Sequence, residues 1–307
     1  MSKPNSKHDK WLEERRKGIG GSDIACVVGL NPFKTKLQLY NEKVNNHTTE
    51  SNDAMKRGVA LEAYVVQLFE ESTGHKCKKP KKDIVSKKGM PFIKASADRL
   101  YINKDGEESI LECKTSGRKI DHENIPVYWF LQIQWYLGTF GLKSGAIAWL
   151  NPNYSFEYVE VAADEELYSK LVDAAQEFWE QNVVPQVPPP AETSQDVLSL
   201  YQAKDLVPTI VASDVLLELC QAYAGISDEV KRLTTEKDKL HDAISVTLGN
   251  AEMATYGDEI ICTYKFSKPV ERLDSKRMRK EMPDVCAAFT IKAEPQRKLY
   301  IRVGGQD

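Results

Sequence analysis

Three residues carry the chemistry most open to reading in this 307-residue chain: Asp98, Glu112 and Lys114. Asp98 stands at the end of one expected strand over 95–100. Glu112 and Lys114 stand two apart on the next, over 110–115, with Cys113 between them. Residues i and i+2 of a strand share a face, so Glu112 and Lys114 project together and Cys113 projects the opposite way. Asn103, Lys104, Asp105 and Gly106 lie between the two runs, and Asp-Gly is a strong hairpin signal. A hairpin there brings Asp98 within reach of the pair. Two carboxylates can hold a hard divalent cation through oxygen, and a neighbouring lysine can orient a water or offset phosphate charge. That combination suits metal-assisted hydrolysis of a phosphodiester. The same residue types also occur on ordinary surface hairpins, so context must decide.

Several flanking elements would position this trio. Residues 55–69 place Leu61, Val65, Leu68 and Phe69 at helical spacing, with Glu62 at the edge of the apolar stripe. Glu62 is either a third carboxylate facing a cleft or a solvated helix glutamate. Residues 127–138 read as a buried aromatic helix carrying two amides, Gln132 and Gln134, and buried amides need partners. Near the start, Arg15, Arg16 and Lys17 lead through Gly18, Gly20 and Gly21 to Ser22 and Asp23. Either Ser22 or Asp23 suits a helix N-cap. Such a turn serves either a phosphate or plain capping. Lys76, Lys78, Lys79, Lys81, Lys82, Lys87, Lys88 and Lys94 form a basic run opposed only by Asp83. The run suits either a phosphate backbone or a solvated loop.

Taken in order, these segments resemble the YqaJ-like viral recombinase family, related to the phage lambda-type alkaline exonucleases within the PD-(D/E)xK nucleases. The resemblance spans roughly residues 10–150 and rests on Arg15 to Ser22, Gly58 to Glu62, Asp98, Glu112-Cys113-Lys114, and Gln132 to Tyr136. It implies an α/β restriction-endonuclease-like core, a central mixed sheet flanked by helices. Asp98, Glu112, Glu62 and the backbone carbonyl of Cys113 would hold one or two Mg²⁺ ions, with Mn²⁺ as a substitute. Lys114 would be the catalytic lysine. Gln132 or Gln134 would be the core glutamine beside the metal or the scissile phosphate. Arg15 (or Arg16) and Ser22 would contact DNA phosphate, and Lys78, Lys79, Lys81 and Lys82 would follow the duplex. The family's proline before the first acid is replaced by Ala97. By resemblance the activity is resection of duplex DNA ends from 5′ to 3′, handing a 3′ single strand to a phage annealing protein, with a trimeric assembly. A structure-specific endonuclease on the same core, a non-catalytic DNA-binding adaptor and a structural assembly protein are the rival readings.

Composition excludes other classes. The chain is 41% apolar and 28% charged with net charge −3, an ordinary globular balance. No apolar run is long enough to span a bilayer. The first ten residues are polar and lack a secretory signal. Cys26, Cys77, Cys113, Cys220, Cys262 and Cys286 are scattered without a Cys-x-x-Cys pair, which disfavours zinc, iron–sulfur and disulfide frameworks and fits a reducing, cytoplasmic setting.

The organisation expected is a nuclease domain over 8–186, a proline-rich linker over 187–213 opened by Pro188, Pro189 and Pro190, and a helix-plus-β appendage over 214–307. Strands are expected over 144–150 and 156–161 and a helix over 164–182, giving the α/β core. Residues 214–248 predict one long helix with a heptad seam interrupted by Lys237, which packs on its own subunit or on another chain. A turn and strand are expected over 256–265, and further strands over 289–292 and 299–303.

Overall fold

The Asp-Gly turn forms as its residues dictate. Asn103 Oδ1 accepts from the backbone N–H of Asp105 (3.0 Å) and Glu107 (2.9 Å), and Gly106 takes the left-handed φ of +79° that closes the loop. This turn joins β4 (Arg99–Ile102) to β5 (Glu108–Thr115), paired antiparallel with Arg99 opposite Leu111. The computed structural model describes residues 7–45, 52–201, 209–291 and 297–303.

Five strands make the central sheet in the order β1-β4-β5-β6-β7, where β1 is Cys77–Lys78, β6 is Ser144–Leu150 and β7 is Phe156–Ala162. β5 and β6 run parallel and the other neighbours antiparallel, so the sheet is mixed. The parallel pair is bridged by α5 (Val127–Phe140), the helical crossover that parallel strands require. The sheet is covered on both faces. Ile110, Ile147 and Trp149 meet Ile133 and Leu137 of α5, whereas Leu111, Ala146 and Ala148 meet Val65 and Phe69 of α4 (Asp53–Thr73). Alternation along β5 therefore sends Ile110, Glu112 and Lys114 toward α5, and Leu111 and Cys113 toward α4. This is the mixed sheet flanked by helices that the resemblance implies.

Around it stand α1 (Lys7–Arg16), α2 (Gly21–Val27), α3 (Lys36–Val44), a two-stranded ribbon of β2 (Val85–Lys87) and β3 (Met90–Ala95), and α6 (Glu165–Phe178). Asp164 caps α6 by accepting from Leu167 N–H at 2.8 Å. The expected helix over 164–182 ends in a π-turn at Trp179–Val183. Asp98 differs from its expectation. It lies in the link between β3, in the ribbon, and β4, in the main sheet, so the chain changes sheets where the first acid sits.

The segment read as a linker carries a helix of its own, α7 (Ser194–Leu200). Its Asp196 is buried and accepts from Thr35 Oγ1 (2.8 Å) and from the N–H groups of Glu192 and Thr193. Burying a carboxylate requires such partners, which ties this stretch to α3. The chain divides into two compact units, Met1–Lys204 and Asp205–Asp307.

The second unit contains α8 (Asp214–Leu248), the hairpin of β8 (Met253–Tyr256) and β9 (Glu259–Thr263), α9 (Ser275–Glu281) and α10 (Pro283–Ala288). The long helix matches its expectation, with Ser213 as N-cap accepting from Leu216 N–H. The strands expected over 289–292 and 299–303 do not form among the described residues, and Lys292 lies outside them. Phe289 instead closes α10. Apolar alternation alone cannot make a strand without a neighbour to hydrogen-bond. Among the described residues no helix is long and apolar enough to cross a membrane.

Candidate active site

Toward the C-terminal end of β5, side chains from β5, from α5 and from the link before β4 converge. Glu112 is 3% exposed. Its Oε1 accepts from Lys114 Nζ at 2.8 Å and from Gln132 Nε2 at 2.5 Å. Its Oε2 is the single buried side-chain oxygen or nitrogen without a hydrogen-bond partner among the described residues. A buried, unpaired carboxylate oxygen is costly, and native structures leave such groups open chiefly where something else binds. Asp98 lies beside it, its Oδ2 accepting from the Cys113 N–H at 2.8 Å.

The electrostatics agree. Burial, then the proximity of Glu112, pushes the Asp98 carboxyl up to about 8. Burial likewise raises Glu112, although Lys114 opposes it. Both acids thus sit in an environment that disfavours their charge and rewards a cation. Lys114 is the counterpart. Burial works against its ammonium, but Glu112 and Asp98 outweigh burial and hold it above the usual lysine range. It is therefore a standing cation. Two of its three N–H donors go to Glu112 and to Gln132 Oε1 (2.8 Å), which leaves one for a water or a phosphate oxygen.

Glu62 approaches from α4. Its Oε1 accepts from Arg99 Nη1 at 2.6 Å, and the same nitrogen donates to the Asp98 carbonyl at 2.6 Å. Glu62 is close enough that its charge raises both Asp98 and Glu112. Among the described residues no three His, Cys, Asp or Glu side chains close around one point. A hard cation here would take Asp98 and Glu112 and complete its shell with water, as Mg²⁺ commonly does. The orphaned Glu112 oxygen and the two oxygen-donor acids fit that ion class.

The two glutamines of α5 separate cleanly. Gln132 belongs to the site through Glu112 and Lys114. Gln134 does not. Its Nε2 donates to the Ala162 carbonyl (2.8 Å) and its Oε1 accepts from Asp164 N–H (2.9 Å), pinning α5 to the start of α6. Gln132 Nε2 also donates to Tyr136 Oη at 3.1 Å. The Tyr136 ring in turn packs on Gly21, where an added Cβ would come within 2.4 Å of it. The ring leaves no room for a side chain at position 21.

Arg15 and Ser22 meet directly, Arg15 Nη2 donating to Ser22 Oγ. Neither Ser22 nor Asp23 is the N-cap; Gly20 is, and Asp23 reaches back to its N–H at 3.0 Å. Asp23 is buried and paired with Lys43 at 2.7 Å and Arg15 at 3.6 Å. Burial alone would lift its pKa, but the two cations outweigh it and hold the carboxyl well below the usual range.

The basic run divides as well. Lys94 is buried on Glu14 (2.6 Å), Lys87 lies over the Tyr168 ring, and Lys78 pairs with Glu108 at 2.9 Å. Lys79, Lys81 and Lys82 are exposed and make no ion pair among the described residues. Arg99 and Lys43 escaped the sequence reading, and Tyr136 entered it only as the end of the Gln132 to Tyr136 segment, with no role of its own. Arg99 had a signal in its place directly after Asp98, whereas Tyr136 and Lys43 act only through the packing of α2 on α5 and α3.

The model of the YqaJ-like viral recombinase domain matches residues 10–143. The "Uncharacterized protein YqaJ" of Bacillus subtilis (strain 168) is 31% identical over 291 residues, 90% of this chain and 89% of that protein. Among solved structures, the alkaline exonuclease LHK-Exo of Laribacter hongkongensis in complex with dAMP is similar at 16% identity and a TM-score of 0.46, over 56% of this chain and 91% of that one. A phage-related exonuclease from Haemophilus somnus 129PT is similar at 16% identity and a TM-score of 0.42, over 55% and 96%. The match along nearly the whole length of both sequences establishes that this chain belongs to the YqaJ-like viral recombinase family.

Proposed function

We propose that this protein is a metal-dependent DNA exonuclease of phage-type recombination, resecting duplex ends from 5′ to 3′ and passing the 3′ strand to an annealing protein. The observation that carries the reading is the buried, unpartnered Glu112 Oε2 beside Asp98, with the Lys114 ammonium fixed 2.8 Å from the other Glu112 oxygen. Asp98 and Glu112 would hold Mg²⁺ or Mn²⁺ directly, with Glu62 and the Cys113 carbonyl joining the shell directly or through water. Such an ion, when bound, supplies a nucleophilic water and neutralises charge on the leaving oxygen.

The chain's own residues do the rest. Lys114 directs its remaining N–H at the water or a non-bridging phosphate oxygen, and as a standing cation it stabilises charge instead of accepting a proton. Gln132 locks Glu112 and Lys114 into one geometry. Arg99 holds Glu62 against the loop that carries Asp98, and such supporting bonds set the orientation of metal-binding carboxylates. Arg15 and Ser22, joined to the site through Tyr136 and Gln132, receive the terminal phosphate. Lys79, Lys81 and Lys82 follow the duplex, which would give binding a steep salt dependence.

The test is digestion of linear duplex DNA with separate labels at the 5′ and 3′ ends, with Mg²⁺ or Mn²⁺ and a closed-circular control. Early release of the 5′ label, intact circles and a block by EDTA are expected. Cut circles would replace the reading with an endonuclease. Folded protein that binds DNA and cleaves nothing would replace it with an adaptor.

A further inference from the structure

Arg99 holds the third acid of the site, and strand pairing explains how it comes to do so. In β4 it lies opposite Leu111 of β5, and residues directly opposite share a face of the sheet. Leu111 faces α4, so Arg99 faces α4 as well, the helix that carries Glu62. Glu112 and Lys114 project from the other face of β5, toward α5. Glu62 therefore approaches the other two acids from the opposite side of the sheet, and Arg99 is the side chain it meets. Arg99 Nη1 donates both to Glu62 Oε1 and to the Asp98 carbonyl, each at 2.6 Å. The Arg99 side chain is only 12% exposed, so this charge-assisted bond is shielded from solvent.

We propose that Arg99 is a positioning residue that keeps Glu62 out of direct contact with the metal, and so holds the DNA-free site to one ion. This role rests on the metal-binding reading of Asp98 and Glu112, and it settles how Glu62 takes part. Two observations carry it. The first is that Glu62 lies near enough for its charge to act on both Asp98 and Glu112, yet among the described residues the three acids do not close around one point. The second is that one Glu62 oxygen is already bonded, and its partner is a cation.

Charge balance points the same way. With all three acids ionised, Lys114 and Arg99 offset two of the three negative charges. What remains suits one divalent ion. A second ion would leave the site strongly positive until a phosphate arrives, and like charges at such short range repel strongly away from bulk water. Arginine suits this task better than lysine. Its guanidinium stays charged, and its fixed fork bonds the carboxylate and the Asp98 carbonyl from one position. An ion on Asp98 and Glu112 would then fill its shell with water, as Mg²⁺ commonly does, and Glu62 would act on it through that water.

The test is Mn²⁺ binding by the full chain without DNA, read by electron paramagnetic resonance. Loss of the free-ion signal gives the number of ions and their dissociation constant, and line broadening in ¹⁷O-labelled water counts the waters on the bound ion. The unaltered chain should bind one Mn²⁺. Arg99→Met keeps the apolar stem but removes the charge and the donors. It should tighten binding by about tenfold or more, with one coordinated water lost as Glu62 enters the shell. Adding Glu62→Gln to Arg99→Met should undo both changes. Glu62→Gln alone keeps an acceptor for Arg99, so the fold is retained and the water count should match the unaltered chain. Two ions per unaltered chain, an Arg99→Met variant with the same affinity and water count, or an extra water in Glu62→Gln would each overturn the proposal and leave the metal-binding reading standing. No Mn²⁺ on the folded, unaltered chain would overturn both.

Discussion

Two acidic centres of the first unit, Asp23 and the Asp98–Glu112 pair, are opposites. Asp23 has every need met: the Gly20 N–H, Lys43 at 2.7 Å and Arg15 at 3.6 Å surround it. Its pKa lies well below the ordinary carboxylate range because those cations outweigh its burial. Asp98 and Glu112 have one lysine between them, one oxygen with no partner, and carboxyl groups raised first by burial and then by a neighbouring acid, Glu112 acting on Asp98 and Glu62 on Glu112. Desolvation therefore leads to opposite electrostatics, according to the counter-ions that stand beside each acid. The saturated centre locks α2 to α3 and joins it to Arg15. The unsaturated one keeps two disfavoured acids and an unpartnered oxygen together, which is the electrostatic pattern of a candidate functional site.

This contrast can be broken by substitution. The largest effect expected is on catalysis. Lys114→Ala should lower the rate of end digestion by about 10²–10³-fold, the cost of removing one positioned charge donor, while duplex binding measured by filter retention stays within a few-fold. Unchanged cleavage would remove Lys114 from the site.

Stability should move in opposite directions at the two centres. Asp23→Asn leaves Lys43 buried without its counter-ion, so denaturant unfolding should report a loss of about 3–5 kcal/mol. Asp98→Asn removes an acid that the metal-free fold disfavours, and it should leave the metal-free chain equally or more stable. A loss at Asp98 as large as at Asp23 would end the distinction.

The two acids also carry opposite pH signatures. The Asp98 pKa is raised above its ordinary 3.8 to about 8, so its contribution to folding is full below the ordinary value and lost as pH climbs toward about 8. In EDTA, the stability gap between Asp98→Asn and the unaltered chain should widen across that window. Asp23 is depressed, so its contribution is present above 3.8 and is lost as pH falls below it. Mn²⁺ at about a hundred times its dissociation constant should restore roughly 2.7 kcal/mol to the unaltered chain, and little to Glu112→Gln, as read in thermal melts.

The smallest effect sharpens the comparison within α5. Gln134→Ala removes a clasp on Ala162 and Asp164 and should change the digestion rate by less than about twofold, at a cost in stability of about 1 kcal/mol. Gln132→Ala frees both Glu112 and Lys114 and should slow digestion far more. Equal effects would show that the helix, and not the amide, matters.

Much of this was legible in the chain itself, for physical reasons. Strand alternation put Glu112 and Lys114 on one face, and Asp-Gly placed the turn, because both depend on neighbours within a few residues. The 3.5-residue period of α8 and the boundaries set by Ser213 and Gly249 are equally local. Other features required the assembled fold. Gln132 and Gln134 are indistinguishable along the sequence, since both lie buried in one aromatic helix. Only the packing of α5 on β5 and on the start of α6 decides that one meets Lys114 and the other Asp164. Lys94 and Lys79 look alike within one basic run, yet burial beside Glu14 takes the first out of solution. The strands expected over 289–292 and 299–303 are absent among the described residues because pairing is a property of two segments. Residue types and short spacings determined the chemistry available to this protein. Tertiary structure alone decided which buried acid was satisfied and which was left with an open oxygen, because a charge's counter-ions come from distant parts of the chain.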